Sequence, residues 1–238
     1  MSRWEPLLAV QEHDTRVDQL SHRAEHLPER ARLGEVGERT AALDRRLATV
    51  QERRGELARS QQRLEDEVAS LTARADQAEK QLYSGAVSNP RELQALQDDV
   101  ASIRRRIGQL EDDELEILEL SEPVDAELAE LGAERERLVA EQAQVESELA
   151  EAEGDITTEL ATVRAERVKA AEAVDAALWS EYDTLRSQLG GVAIARLVGT
   201  TCQGCHLALP AVEVDRIRKL GLDEVVHCEE CGRLLVRD

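Results

Sequence analysis

The four cysteines of this 238-residue chain form two close pairs near its C-terminal end. Two residues separate Cys202 from Cys205, two separate Cys228 from Cys231, and 22 residues lie between the pairs. A spacing of two residues lets a tight turn direct both thiolates at one ion, and two such turns supply the four sulfurs of a tetrahedral Zn²⁺ site. The spacing therefore predicts a zinc ribbon with one Zn²⁺ and these four cysteines as metal ligands. A four-cysteine iron site and a redox-active pair of dithiols are the alternatives.

The residues beside the cysteines refine this interpretation. Gly204 and Gly232 are expected to give the two turns their backbone freedom. His206 and His227 each adjoin a cysteine, but four thiolates already fill a zinc shell, so we expect both histidines to lie outside it. A filled shell has no open position for water or substrate, and the zinc is therefore predicted to be structural. No catalytic residue is predicted anywhere in the chain, because phosphate-binding glycine loops, nucleophile elbows and similar motifs are lacking.

The ribbon is predicted to occupy residues 191–238, since the helical pattern of residues 1–190 ends at Gly190-Gly191. Alternating apolar residues after this point predict a strand over 192–198 and further strands at 225–226 and 234–236. A short helical turn is expected over 216–220. So small a domain gathers little apolar core, and the metal is expected to supply much of its folding energy.

Residues 84–90 interrupt an otherwise helical pattern and contain residues that end one helix and begin another. Gly85 can adopt the left-handed conformation that ends a helix. Asn89 is a good N-cap, Pro90 suits the first helical position, and Glu92 stands where a capping-box carboxylate reaches back. A connection this short makes its two helices antiparallel neighbours. The segment therefore predicts the tip of a long helical hairpin, with a surface loop between unrelated helices as the alternative.

Apolar residues on both sides of this tip recur in alternating steps of three and four, the period of a left-handed coiled coil. One seam position before the tip carries Leu43, Val50, Leu57, Leu64, Leu71 and Ala78. One seam position after the tip carries Leu96, Ile103, Leu110, Ile117, Val124, Leu131, Leu138, Val145 and Ala152. The pattern predicts two helical arms over 4–83 and 90–189. The fold class predicted is mainly α, an antiparallel coiled-coil hairpin with a small C-terminal zinc-ribbon β domain.

Particular residues are expected to modify the arms. Pro28, with the glycines that follow it, predicts a kink or short break. Pro123 is expected to bend the second arm or to restart it after Ser121. The polar seam residues Arg54 and Gln61 are interpreted as setting the register of the coil. An antiparallel hairpin also brings Trp4 close to Trp179 and Tyr182, where we expect a packing cluster.

The formal net charge of −20 opposes binding to phosphate backbones and to anionic lipid. The N-terminus lacks the basic-then-apolar pattern of a signal peptide, and no apolar run approaches the roughly 20 residues of a membrane span. These features predict a cytoplasmic protein, and a reducing compartment favours metal over disulfides for the cysteine pairs. The heptad arms fit either a monomer or a coiled-coil dimer.

Two motifs resemble those of a bacterial family that combines an N-terminal coiled-coil hairpin with a C-terminal four-cysteine zinc ribbon. Residues 83–97 read Tyr-Ser-Gly-Ala-Val-Ser-Asn-Pro-Arg-Glu-Leu-Gln-Ala-Leu-Gln. The ribbon carries Cys-x-Gly-Cys-His-x-x-Leu-Pro at 202–210 and Val-x-Cys-x-x-Cys-Gly-Arg-Leu-Leu-Val at 226–236. The resemblance implies the fold and the four zinc ligands. Family members are labelled zinc-ribbon nucleic-acid-binding proteins, and some are described as adaptors or chaperones for flagellar or type III secretion components and an alternative sigma factor.

Two functions follow as hypotheses. The first is a non-enzymatic scaffold or adaptor with a protein partner, in a regulatory or chaperone-like role. The second is nucleic-acid binding through the ribbon. Charge disfavours the second, because residues 192–238 carry six basic and seven acidic groups and contain no aromatic residue for base stacking. Arg216, Arg218 and Lys219 form the single local basic feature there, which we interpret as a solvated helix face.

Overall fold

The computed structural model describes residues 3–85, 87–221 and 223–237, so Ala86 in the predicted tip and Asp238 lie outside the described residues. The fold is mainly α, a long helical hairpin with a small C-terminal sheet, as the sequence predicted. The elements in chain order are α1 Glu5–Glu25, α2 Pro28–Tyr83, α3 Pro90–Ala171, α4 Ala176–Gln188, β1 Ile194–Val198, β2 Thr201–Cys202, α5 Ala211–Lys219 and β3 Leu234–Val236. No helix among the described residues is long and apolar enough to cross a membrane.

The turn between α2 and α3 uses the residues that the sequence singled out. Gly85 has a φ of 73°, the left-handed conformation that only glycine adopts without strain. The Oδ1 atom of Asn89 accepts the backbone N–H of Arg91 at 3.0 Å, which satisfies a donor of the first helical turn. Glu92 reaches back to the side-chain amide of Asn89, at 3.4 Å. Local capping chemistry therefore sets where α3 begins.

The chain divides into two compact units, residues 32–144 and residues 1–31 together with 145–238. The first unit is a coiled coil of α2 and α3. One cluster of its core consists of buried residues that recur at heptad spacing, namely Val36, Leu43, Val50, Val124, Leu131 and Leu138. Each heptad, about two helical turns, buries one such side chain on each helix, and the charged residues beside the seam stay in water.

Ion pairs between α2 and α3 show that the two helices of this coil are antiparallel. As the residue number of the α2 partner increases, that of the α3 partner decreases. The pairs are Arg39–Glu141, Asp44–Arg135, Arg46–Glu127, Arg54–Asp125, Glu67–Arg106 and Arg74–Asp99. The predicted seam residue Arg54 thus contacts a carboxylate on the other helix, at 2.6 Å. Gln61 instead donates to Glu65 of its own helix, at 2.8 Å.

The second unit packs α1 and α4 against the end of α3 and the C-terminal sheet. One cluster joins Leu20 and Leu27 to Ile156 and Val163 along the helices. A second cluster combines helical and ribbon residues around one buried tyrosine: Trp4, Leu7, Val10, Leu178, Tyr182, Ala193, Ile194, Leu234 and Val236, with Trp179 packed against it. The expected proximity of Trp4, Trp179 and Tyr182 is present.

The second helical arm differs from the sequence prediction. Instead of one helix over 90–189, α3 ends at Ala171 and α4 starts at Ala176. Asp175 has an extended backbone and its side chain accepts the N–H of Leu178 at 2.9 Å, so it is the N-cap of a new helix. It also binds Arg3 at 2.8 Å. The break escaped prediction because no glycine or proline marks it, although an aspartate followed by a helical pattern was a local signal.

Of two other predicted interruptions, the restart of the helix after Ser121 is absent and the short break near Pro28 is present. α3 continues through Pro123 without restarting, and the buried hydroxyl of Ser121 donates to the carbonyl of Ile117 at 2.8 Å. The helix break near Pro28 is confined to His26 and Leu27, and α2 continues through Gly34 and Gly37. Packing along the seam compensates for the low helix propensity of those residues.

The ribbon is a three-stranded sheet in the order β2-β1-β3. β2 pairs antiparallel with β1, with Leu197 opposite Cys202, and β3 pairs parallel with β1, with Ile194 opposite Leu234. The predicted strand at 225–226 is not formed, although the carbonyl of Val226 accepts the N–H of Leu235. The short turn predicted over 216–220 is instead the nine-residue helix α5.

Candidate metal centre

The structure brings the four cysteine sulfurs together. All four Sγ atoms lie within 4.8 Å of one another, with 4.0 Å between Cys202 and Cys231 and 3.9 Å between Cys205 and Cys228. A tetrahedral Zn²⁺ with bonds of about 2.3 Å to sulfur requires sulfurs about 3.8 Å apart. The donor set and its geometry therefore fit one Zn²⁺, and a closed four-sulfur shell leaves no coordination position for a substrate.

Two turns of the same construction deliver these sulfurs. In each turn the first cysteine donates its N–H to the residue five positions later: Cys202 to the carbonyl of Leu207 at 3.0 Å, and Cys228 to that of Arg233 at 2.8 Å. In each, the carbonyl of the first cysteine accepts the N–H four positions later, from His206 or Gly232, at 2.8 Å. The backbone thus fixes both pairs of thiolates, and the N–H of Gly204 adds a contact to the sulfur of Cys202 at 3.4 Å.

The residue that follows each turn has a left-handed backbone. Gly232 has a φ of 73°, and its counterpart His206 has a φ of 61°. The backbone freedom expected of both glycines is therefore used at Gly232, whereas the left-handed residue of the first turn is His206 and not Gly204. Gly204 is required for space instead, because a Cβ there would lie 2.6 Å from Cδ of Arg233 and 3.0 Å from Cβ of Ala195. The position of His206, immediately after the second cysteine, was the signal that could have identified the left-handed residue.

Burial and hydrogen bonding act differently on the individual thiols. Burial raises the pKa of Cys202, and it raises the pKa of Cys228 to about 12. Burial also opposes ionisation of Cys231, but hydrogen bonds from the backbone and side chain of Arg233 outweigh it and lower its pKa to about 7. A bound dication supplies the charge that buried thiolates need, so metal binding and thiol deprotonation occur together.

The two histidines lie outside the sulfur cluster. His227 places Nε2 2.9 Å from Oε1 of Glu181, which connects the ribbon to α4. His206 is exposed. Neither belongs to the group of potential ligands that the four cysteines form. Their predicted position outside the shell agrees with these contacts.

The basic side chains of the ribbon are largely engaged by the protein itself. Arg216 binds Glu213 at 2.7 Å and Lys219 binds Asp215 at 2.9 Å. Arg233 donates to the carbonyl of Val192 at 2.9 Å, and Arg196 binds Glu5 of α1 at 3.2 Å. Arg237 donates to the carbonyl of Leu220 at the end of α5, at 3.1 Å. A phosphate backbone would have to compete with these partners for the same cations.

A buried polar network beneath the ribbon was missed by the sequence analysis. Gln11 of α1 donates to the carbonyl of Gly191 at 2.9 Å and accepts the N–H of Ala193 at 2.7 Å, which fixes the segment entering β1. One turn later Asp14, only 3% exposed, accepts bonds from Arg167 at 2.5 Å and from the Tyr182 hydroxyl at 2.8 Å. Arg186 lies 3.3 Å from the same carboxylate.

This network raises the pKa values of Tyr182 and Arg167, so both stay protonated. Burial and the bond to Asp14 raise the pKa of Tyr182, and the bond to Asp14 raises that of Arg167. The signal in the sequence was the helical face Leu7, Gln11 and Asp14, where polar residues occupy positions that an amphipathic helix fills with apolar ones.

The domain models of known families match both parts of the chain. Residues 10–190 match the CT398-like coiled coil hairpin domain, and residues 201–235 match the C4-type zinc ribbon domain. An uncharacterized protein of Mycobacterium tuberculosis is 31% identical over 231 residues, which cover 97% of this chain and 94% of the relative. The ribbon match and the clustered sulfurs confirm the predicted cofactor, one structural Zn²⁺.

Solved structures show the same fold. A protein from Mycobacterium smegmatis aligns over 100% of both chains with a TM-score of 0.87 and 25% identity. CT398 from Chlamydia trachomatis aligns over 99% of this chain and 98% of its own, with a TM-score of 0.65 and 20% identity. No catalytic family is indicated by these relatives. The boundary predicted between residues 190 and 191 falls between the two family matches and stays a prediction.

Proposed function

Because this chain belongs to the family with a CT398-like coiled coil hairpin and a C4-type zinc ribbon, we propose that it is a non-enzymatic adaptor or scaffold for a protein partner. On this proposal it acts in the cytoplasm, in a regulatory or chaperone-like role, as a monomer or a coiled-coil dimer. Cys202, Cys205, Cys228 and Cys231 hold the zinc that keeps the ribbon rigid.

One segment of α3 carries the proposal. Residues 107–134 contain 11 acidic and no basic residues. Within it the side chains of Leu115 and Leu118 are 58% and 40% exposed, and three residues apart they are neighbours on the helix surface. Glu111, Glu119 and Glu122 lie four residues from one or the other leucine, and none of the three has an ion pair within the described part of the chain.

This face suits a polypeptide better than a nucleic acid. Exposed leucines gain free energy when a partner covers them, because their apolar surface leaves water. The surrounding carboxylates repel phosphate and anionic lipid, and they favour basic side chains at the rim of an interface. We call Leu115, Leu118 and these three glutamates the acidic leucine face.

The ribbon supports the same choice. Most of its basic side chains already bind carboxylates or backbone carbonyls, so a phosphate would compete with these partners for them. Nucleic-acid binding is the alternative function, and it predicts affinity that falls steeply with salt. We expect no binding to duplex DNA or to RNA at physiological ionic strength, as fluorescence anisotropy over several salt concentrations would measure.

The test is affinity capture of partners from cell extract with and without nuclease treatment. The wild-type chain should retain a protein after nuclease treatment, and Leu115→Ser/Leu118→Ser should lose it, because the two substitutions remove the apolar surface without touching the coil core. Val139→Ser/Val168→Ser is the matched control, since these valines are also half-exposed residues of α3, at 50% and 55%.

Two results would refute the proposal. Capture that disappears with nuclease would indicate a nucleic acid between the chain and the retained protein. Equal retention by the leucine variant and the valine control would exclude the acidic leucine face as the binding surface.

A further inference from the structure

A group of potential metal ligands other than the cysteines lies in the last turn of α1. His22, Glu25 and His26 each offer one ligand atom, and these atoms all lie within 4.8 Å of one another. Residues three and four apart share one side of a helix, so the spacing itself brings the three side chains together. All three side chains are exposed, so a solvated ion can reach them directly.

The two imidazoles are already arranged side by side. Their ring centroids are 4.1 Å apart with an interplanar angle of 33°. The Nδ1 atom of His26 lies 2.8 Å from the carbonyl oxygen of His22, which can only accept, so Nδ1 carries the proton. Nε2 of His26 therefore keeps a free lone pair. A ring N–H bonded to a backbone carbonyl is the usual second contact of a metal-binding histidine, because it fixes the tautomer and the ring orientation.

The position at the end of a helix favours a cation. α1 ends at Glu25 with His26 as its C-cap, and the carbonyl groups of a last turn carry partial negative charge. The carboxylate of Glu25 adds a full negative charge to the ligand set. Arg23, also in this turn, lies one position from His22 and two from Glu25, so it does not face them. It lies three positions from His26 and is therefore a neighbour of that histidine alone.

We propose that His22, Glu25 and His26 form a second divalent metal site, one that takes Zn²⁺ or a similar borderline ion. Two imidazoles and one carboxylate are a donor set that such ions accept, and three protein ligands leave room for water in the remaining position. The ion would join residues four apart across the last turn of α1. It would therefore stabilise the helix end that directly precedes the break at His26 and Leu27.

The experiment uses full-length protein without a histidine tag, purified with one zinc per chain in the ribbon. Isothermal titration with Zn²⁺ should show a second equivalent that binds in the micromolar range. His22→Ala or His26→Ala should weaken this second event by about tenfold or more, since even the outer partners of metal ligands are commonly worth that much. Hydrogen exchange of residues 20–26 should slow when the second equivalent binds.

His13→Ala is the matched control, because His13 is in the same helix but lies outside the cluster, 3.8 Å from Glu166. It should leave the second event unchanged. The proposal is overturned if the wild-type chain binds no second equivalent at millimolar free zinc. It is equally overturned if the second equivalent persists unchanged in the His22→Ala/His26→Ala variant, which would show adventitious binding elsewhere.

Discussion

The coiled coil of residues 32–144 and the ribbon-bearing unit use different physical means to stay folded. The coil repeats one solution, a buried aliphatic side chain at heptad spacing and exposed ion pairs beside it. The ribbon-bearing unit uses few repeats. It combines a four-sulfur cluster, a buried carboxylate with several partners and an apolar cluster shared by helices and strands. The folding stability of this unit therefore depends on a few residues with specific partners. The stability of the coil is instead spread over many similar side chains.

The polar contacts of the two regions differ most clearly in burial. Asp44 and Arg135 of the coil form an ion pair at 2.8 Å with both side chains about half exposed. The carboxylate of Asp14 is almost completely buried, and two arginines and a tyrosine hydroxyl surround it. An exposed pair contributes little because water competes for both charges, whereas a buried charge that loses its partners cannot regain hydration.

The largest effect is expected from loss of the metal. Cys228→Ser removes one of four thiolates, so the ribbon should lose its zinc and residues 192–237 should lose hydrogen-exchange protection. Structural zinc supplies about 10 kcal/mol or more of apparent binding energy, and in so small a domain that energy is folding energy. Metal analysis and exchange mass spectrometry check both parts.

The effect should extend into α1 and α4 but leave the coil intact. Ile194 and Leu234 of the ribbon share a cluster with Leu7 and Tyr182, so these helices lose part of their packing when the ribbon unfolds. Residues 32–144 have their own core and should keep their protection. Deprotection of the coil, or a ribbon that stays folded without metal, would contradict this account.

The next largest effect is expected from removing the buried carboxylate of Asp14, compared with removing the exposed carboxylate of Asp44. Asp14→Asn keeps the size of the side chain but leaves Arg167 and Arg186 without their charge partner, and it should reduce the free energy of unfolding by about 3 kcal/mol. Asp44→Asn breaks an exposed pair and should cost less than about 1 kcal/mol. Denaturant titrations followed by circular dichroism measure both. Equal costs would mean that burial does not distinguish the two regions.

A smaller effect is expected at the two left-handed residues of the metal centre. Gly232→Ala places a Cβ on a backbone with φ of 73° and should destabilise the ribbon by about 1 kcal/mol. His206→Gly relieves the equivalent strain but adds freedom to the unfolded chain, and it should be nearly neutral. Competition with a zinc chelator measures the difference. A larger loss of zinc from His206→Gly than from Gly232→Ala would contradict the equivalence of the two turns.

The smallest effect concerns the cap of α4. The hydrogen bond from the N–H of Leu178 holds the pKa of Asp175 below its ordinary value, and the charge of the nearby Arg3 adds a smaller lowering. A lowered pKa in the folded state stabilises the fold above the ordinary carboxyl pKa of about 3.9, and this contribution is lost as the pH falls through the lowered value. The melting temperature of wild type should fall toward that of Asp175→Asn on acidification. A difference that is constant between neutral and acidic pH would refute the role of ionised Asp175.

The sequence by itself determined the features that local chemistry or strict periodicity controls. The tip follows from Gly85, Asn89 and Pro90, because each suits one local backbone conformation. The coil follows from the heptad repeat, since a sustained period leaves one way to bury the apolar residues. The zinc site follows from two pairs of cysteines with the spacing of a tight turn.

Only the tertiary structure decided the features that depend on distant partners. Gln11 holds the entry to β1 across 180 or more positions of the chain, and Asp14 binds residues more than 150 positions away. Gly204 is required because Ala195 and Arg233 approach it in space. The break before Asp175 adds a contact with Arg3 to a local cap. No local pattern records these contacts, because their energies arise only when the separate segments pack together.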